Sequence, residues 1–259
     1  VLSTYIFELV ALNSKIYVDK TGLLEYTNSV LGTSDAYICN SRPRRFGKSY
    51  AANMLTAYYS KGCDSEEMFS DLAISQAPDF KLHLNKYDVI HIDIQWFLAN
   101  CTNVNEVTAF ITESVLAELK DIYPDTLSAN VETLPYALSL IREISGQKFI
   151  IIIDEWDVLL RDESSNTKVL DDYINFMRGL FKGTEPTKYI QLAYLTGILP
   201  IKKEKTQSAL NNFDEFTMLS ASDLAPYVGF TEDEVNEKVS KDMEFLVQDP
   251  DGYLLRFNN

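Results

Sequence analysis

Five consecutive apolar residues, Phe149-Ile150-Ile151-Ile152-Ile153, run straight into the carboxylates Asp154-Glu155. A strand with one face on water alternates apolar and polar side chains; a strand that is apolar at every position needs cover on both faces. The run therefore predicts a parallel sheet between two helical layers. Further strand-like runs lie at Ala36 to Asn40, Val89 to Ile94, Ile190 to Thr196 and Phe216 to Leu219. Between them, helical spacing recurs at Lys48 to Ser60, Val104 to Lys120, Leu134 to Ile144 and Lys168 to Phe181. Alternation of this kind, joined by right-handed crossovers, predicts an α/β fold of three layers around a central, mainly parallel five-stranded sheet.

Residues 1–220, including an N-terminal segment 1–35, are expected to form one domain, and residues 221–259 a short helical tail that reads as truncated. Thr231 and Glu234 have capping-box spacing, and Glu232 and Asp233 sit where a helix dipole favours carboxylates, so a helix is expected to start there. Pro250, Asp251 and Gly252 read as a turn.

The chain of 259 residues carries a formal net charge of -15, which repels phosphate backbones and disfavours bulk binding to nucleic acid or anionic membrane. Cys39, Cys63 and Cys101 lack metal-ligand spacing and read as free thiols of a reducing compartment. With no apolar run of membrane-spanning length and no basic residues ahead of a signal-like core, a cytoplasmic location is expected.

Against this acidic background, the run Ser41-Arg42-Pro43-Arg44-Arg45-Phe46-Gly47-Lys48-Ser49 stands between an expected strand and an expected helix. A helix N-terminus offers unpaired N–H groups and a positive dipole end, which together bind phosphate. Gly47 lets the backbone approach a ligand, Lys48 supplies a point charge for outer phosphates, and the Ser49 hydroxyl can ligate Mg²⁺. Arg42 through Lys48, Ser49 and Tyr50 are thus the candidate ATP-binding residues. Arg42 departs from the usual loop, which opens with glycine, and Gly-Lys-Ser alone could equally begin a surface helix. Arg44 and Arg45 could face nucleotide, a partner or a neighbouring carboxylate.

Asp154 and Glu155 end a buried strand at the edge where open α/β sheets bind ligands. Asp154 is the candidate holder of Mg²⁺ with Ser49, and Glu155 the candidate base that orients and deprotonates water. Any buried strand must end in polar residues, so the pair gains weight from the loop upstream. Thr196, at the end of another expected strand, is placed to lie near a γ-phosphate, and with Glu155 and Lys48 completes the candidate catalytic set. Trp156 reads as a packing residue and Asp157 as a cap or ion-pair partner. Lys202, Lys203 and Lys205 read as a solvated face, with a charge-stabilising role as the alternative.

Four stretches carry a family resemblance: Tyr17-Val18-Asp19-Lys20-Thr21, Arg42 to Ser49, Ile153-Asp154-Glu155-Trp156-Asp157, and Leu195 to Ile201 extended by Ser208 to Phe213. Together they resemble the predicted AAA-ATPase-like family of bacteria and archaea, whose members often carry a C-terminal PD-(D/E)XK nuclease-like domain. In that family the arginine-led loop itself replaces the glycine-led one. The resemblance also implies that Tyr17 to Thr21 packs near the nucleotide base. No nuclease activity is carried over, because the chain ends where such a domain would follow.

The expected function is ATP binding and hydrolysis that drives or regulates a partner or a missing C-terminal domain, with slow turnover because no in-chain arginine finger is evident. A non-hydrolysing nucleotide-binding scaffold and a P-loop small-molecule kinase are the alternatives. Glu155 directly after Asp154 favours activation of water over transfer to an acceptor.

Overall fold

The structure, a computed structural model, describes residues 17–163, 166–201, 208–220 and 222–241. In chain order the described elements are helix α1 (Gly22–Val30), strand β1 (Tyr37–Ser41), α2 (Lys48–Tyr59), β2 (Asp88–Asp93), α3 (Ile94–Asn100) and α4 (Val107–Ile122). There follow α5 (Leu134–Ser145), β3 (Phe149–Asp154), α6 (Val158–Asp162), α7 (Thr167–Phe181), β4 (Ile190–Gly197), β5 (Asp214–Phe216) and α8 (Glu232–Lys241), with shorter helical turns between. The five strands form one sheet in the order β2-β3-β4-β1-β5, and every neighbouring pair is parallel.

The isoleucine run behaves as its composition demands, for all six residues of β3 are buried. Phe149, Ile151 and Ile153 enter one apolar cluster, packed under α4, α5 and α7. Ile150 and Ile152 enter the other, packed under α1 and α2. Period-two alternation thus divides one strand between two cores, which is why β-branched residues suit every position.

Boundaries follow local chemistry. The expected helix from Val104 begins as a 3-10 turn, Val104–Glu106, after Asn103 accepts the Asn105 amide at 3.1 Å, and becomes α-helical only at Val107. The α5 helix ends at Gly146, whose φ of 74° is the left-handed closure for which glycine is suited. At the other end of the chain, Thr231 N–H donates to Glu234 at 2.8 Å and Glu234 N–H to the Thr231 hydroxyl at 3.3 Å, so α8 opens with a capping box.

The fifth strand differs from its expected position. Strand β5 covers Asp214–Phe216, and the stretch after Phe216 turns away from the sheet. Leu219 and Ser220 amides both donate to the Thr217 hydroxyl at 3.2 Å, and Leu219 is fully exposed. A local side-chain turn therefore outcompetes strand extension despite the apolar letters. Helix α1 follows Tyr17 to Thr21, a segment that reads in sequence as a turn before a helix, whereas α3 and α6 were not among the expected helices. Both are too short to show much periodicity: α3 has 7 residues and α6 has 5.

Candidate functional site

Because all five strands are parallel, their C-terminal ends share one sheet edge, and the segments leaving that edge are brought together irrespective of their separation in sequence. Strand β1 leads into the arginine-rich loop, β3 into Glu155, and β4, lying between them, ends in Thr196-Gly197. Asn40 is level with Thr196 across one side of β4, and Ile153 with Leu195 across the other. The loop and the acidic strand end, far apart in sequence, therefore meet around Thr196.

Gly47 caps the N-terminus of α2 with φ 75°, a left-handed conformation suited to glycine, and a Cβ there would meet nothing within 4 Å. The glycine is thus required by its conformation, and the mouth beside it is bare backbone. Lys48 is buried at 5 % exposure and Ser49 is exposed at the first turn. The Lys48 ammonium donates to the Pro43 carbonyl at 3.1 Å and lies 3.8 Å from Glu155 Oε1. This contact ties the phosphate-binding candidate to the acidic strand end. Burial pulls the Lys48 pKa down, opposed by Glu155 and Asp154.

Asp154 is buried and accepts hydrogen bonds from the Thr196 hydroxyl and, at 3.0 Å, from Glu155 N–H. Glu155 has φ 51°, unusual for a residue with a Cβ. Its carboxylate accepts from Arg161 Nη2 at 2.6 Å. Burial pushes the Glu155 carboxyl up from its ordinary range, with Lys48 and Arg161 opposing that rise. Asp157, fully buried, accepts from the amides of Ile198 at 3.1 Å and Leu199 at 2.7 Å, and pairs with Arg161 at 3.2 Å. A Cβ on Gly197 would come within 2.7 Å of Asp157 Oδ1 and 2.6 Å of Trp156 Nε1, so the β3 and β4 exits interlock only with glycine there. Trp156 itself is buried, with its carbonyl accepting from Tyr173 at 2.7 Å.

The basic residues of the loop divide. Arg42 is only 1 % exposed; its Nη1 donates to the carbonyls of Phe216 at 2.7 Å and Ser41 at 3.1 Å, so this end of the guanidinium binds the chain leaving β5. Burial lowers its pKa, although an arginine remains charged under such pressure. Arg44 and Arg45 are exposed, and Arg45 takes φ 66°. Lys202, Lys203 and Lys205 lie outside the described residues, as does the expected turn at Pro250 to Gly252.

Beside the loop is a second feature, a cavity of about 250 Å³ lined by Tyr17, Lys20, Phe46, Tyr50, Tyr227 and Phe230 among others. Tyr17 and Tyr50 meet edge-on at 6.3 Å between ring centroids, and burial pushes the Tyr17 phenol up to about 12, so it stays a neutral hydroxyl. The Tyr17 to Thr21 segment is fixed by its polar side chains. Asp19 accepts from the amides of Thr21 at 2.8 Å and Ala73 at 2.6 Å, and Thr21 Oγ1 accepts from Ile74 N–H at 3.1 Å. Lys20 donates to Glu234 and, at 2.7 Å, to the Pro226 carbonyl. The far wall, Tyr227 to Phe230, comes from the segment just before α8.

Sequence reasoning anticipated neither Arg161 on Glu155 nor the Lys20–Glu234 ion pair at 2.6 Å. The i,i+4 spacing of Asp157 and Arg161 was a local signal for the first. Nothing local signals the second, whose partners are 214 positions apart. Asp93, at the end of β2 and level with Asp154, was also overlooked; it caps α3 by accepting the Trp96 amide at 3.1 Å.

The donor set suits a hard cation shared with phosphate. No group of three or more His, Cys, Asp or Glu side chains able to hold a metal occurs among the described residues. Mg²⁺ commonly takes one or two protein oxygens together with phosphate and water, and oxygens of that kind are present here in the exposed Ser49 hydroxyl and the buried Asp154 carboxylate. No helix among the described residues is long and apolar enough to cross a membrane. No curated protein matches the chain. The family described as predicted AAA-ATPase matches residues 3–206, well over half of the sequence. By that match, together with the parallel sheet and its glycine-lysine-serine loop, the chain belongs to the AAA-ATPase-like family.

Proposed function

We propose that the chain binds ATP with Mg²⁺ and hydrolyses it, using the energy to drive or regulate a partner or a further domain. The observation that carries this reading is the approach of Lys48 Nζ to Glu155 Oε1, 3.8 Å, at a helix N-terminus bordered by Asp154 and Thr196. The amides at the start of α2 and the Lys48 ammonium receive the phosphates. Ser49 and Asp154 hold Mg²⁺, which neutralises charge on the phosphate oxygens. Thr196 orients Asp154 by donating to it, and in this reading it meets the terminal phosphate. Glu155 orients water and takes its proton, a task helped by a carboxyl whose proton affinity burial has raised.

The aromatic cavity takes the base. It adjoins the loop at Phe46 and Gly47, five of its eleven lining residues are aromatic, and stacking on such faces suits a purine. Arg45 also lines the cavity, whereas Arg42 joins the loop to the exit of β5; in this reading Arg45 contacts the nucleotide. Residues 1–220 act as the ATPase unit and 221–259 as its tail, with a cytoplasmic site of action and no bulk contact with nucleic acid. The charge of -15 supports that last point.

The test is Mg²⁺-dependent ATP binding and hydrolysis by the wild type, Lys48→Ala and Glu155→Gln. Lys48→Ala is expected to lose binding. Glu155→Gln is expected to keep binding while turnover falls by about 10²- to 10⁴-fold, the usual worth of a positioned general base. Wild-type hydrolysis by both variants would reject the site, and binding without hydrolysis by the wild type would leave a nucleotide-dependent scaffold. Phosphate transfer found only with an added small-molecule acceptor would support the kinase alternative.

A further inference from the structure

Glu155 is held in a left-handed backbone conformation that disfavours side chains, and such an outlier asks what keeps its carboxylate in place. Two cations reach it. Lys48 lies 3.8 Å from Oε1, at the outer limit of an ion pair, while Arg161 Nη2 lies 2.6 Å from Oε2. The Arg161 side chain is 16 % exposed and that of Glu155 23 % exposed, so water screens their pairing less than it would at an open surface.

The two cations have different commitments. Lys48 belongs to the phosphate mouth and already donates to the Pro43 carbonyl, so bound phosphates compete with Glu155 for it. Arg161 is anchored from behind. Its Nε lies 3.2 Å from Asp157, and Asp157 is fixed in turn by the Ile198 and Leu199 amides, directly after β4. A rigid line of contacts therefore runs from the exit of the Thr196 strand, through Asp157 and Arg161, to the Glu155 carboxylate.

We propose that Arg161 is the positioning residue for Glu155, holding its carboxylate in the orientation needed to activate water and linking that orientation to the segment after Thr196. The inference rests on the reading of Glu155 as the water-activating base. Arg161 acts through Glu155 rather than on the phosphates. Its planar shape matters as well as its charge, because Nη2 donates to Glu155 while Nε, on the same edge, makes an ion-pair contact with Asp157.

The experiment compares wild type, Arg161→Gln, Arg161→Lys, Glu155→Gln and the double variant Arg161→Gln/Glu155→Gln, each in the full chain. Turnover and KM are measured with Mg²⁺-ATP, nucleotide affinity with a fluorescent ATP analogue, and melting temperature with neither nucleotide nor metal. Arg161→Gln is expected to lower kcat by about 10- to 100-fold, the scale of a misplaced catalytic group, with affinity changed less than threefold. Arg161→Lys recovers part of that loss. In the Glu155→Gln background the Arg161 substitution causes no further fall in single-turnover rate, and without ligands the double variant melts no lower than the less stable single variant.

Normal or faster turnover by Arg161→Gln, with Glu155→Gln inactive, overturns the proposal while leaving the role of Glu155 intact. A further rate loss in the double variant also overturns it, since Arg161 would then be acting on the phosphates directly. Wild-type turnover by Glu155→Gln removes the underlying reading of Glu155. Should Arg161→Gln fail to fold, Arg161→Lys decides the question: wild-type turnover by that variant overturns the proposal, and a lowered kcat with unchanged nucleotide affinity supports it.

Discussion

The phosphate mouth and the aromatic cavity lie side by side, yet they are built in opposite ways. The mouth is assembled from strand ends of one parallel sheet, where register alone sets Thr196 level with Asn40 and beside Asp154. The cavity is assembled from segments near opposite ends of the chain, joined by Lys20 to Glu234 across 214 positions. A site on a sheet edge inherits its rigidity from the buried core, whereas a cavity closed by a tail depends on a few contacts that can open at smaller cost. The first region is therefore held by the sheet, and the second by side-chain contacts between distant segments.

Replacing Asp154 with Asn should give the largest effect, lowering Mg²⁺-dependent turnover by about 100-fold or more, in keeping with the several kcal/mol that a metal supplies. A metal titration of turnover checks this, and a normal rate would mean that the mouth does not hold Mg²⁺ through this carboxylate. Lys20→Met comes next. It strips Glu234 of its cation and the Pro226 carbonyl of a donor, and breaking a buried pair costs about 3–5 kcal/mol at full burial. Because the Glu234 side chain is 25 % exposed, water takes up part of that loss, and about 2 kcal/mol is expected in urea unfolding. An unchanged midpoint would show that the tail closes the cavity without this pair.

Tyr227→Ala sharpens the contrast further. It should weaken ATP by about tenfold, the scale of one aromatic stacking contact, and leave the affinity for inorganic triphosphate as it is. Equal losses for both ligands would contradict the division between base and phosphate regions. The smallest effect concerns pH. Burial lowers the pKa of both His83 and His91 from the ordinary 6.5, with Asp79 opposing at His83 and Asp154 and Asp93 at His91. Between the folded and unfolded pKa values the unfolded chain binds the extra protons, so this contribution is present above about 6.5 and is lost as pH falls below it. Melting curves from pH 7 to pH 5 should decline less for His83→Gln/His91→Gln than for the wild type; parallel declines would place the acid sensitivity elsewhere.

Much of the sheet was legible because burial leaves a periodic mark. Phe149 to Ile153 needed two covered faces, and the start of α2 after Gly47 carried its own signal in Gly-Lys-Ser. Leu219 shows where the reading fails: it resembles a strand residue by composition, but the Thr217 hydroxyl draws the chain into a turn and leaves Leu219 in water. Arg42 shows another limit. Its place in the loop was visible, but the direction of its side chain, toward the Phe216 carbonyl, depends on a strand 174 positions away.

The sequence alone therefore determined the alternation of strands and helices, the helix starts at Lys48 and, with its capping box, Glu232, and the set of polar residues that end the strands. These features arise from period, propensity and capping, which act over a few residues. Strand order, the Lys20–Glu234 ion pair and the closing of the aromatic cavity by Tyr227 and Phe230 were decided only by the tertiary structure. Such contacts depend on how buried surfaces pack across the whole chain, and a residue's neighbours in sequence carry no record of that partner.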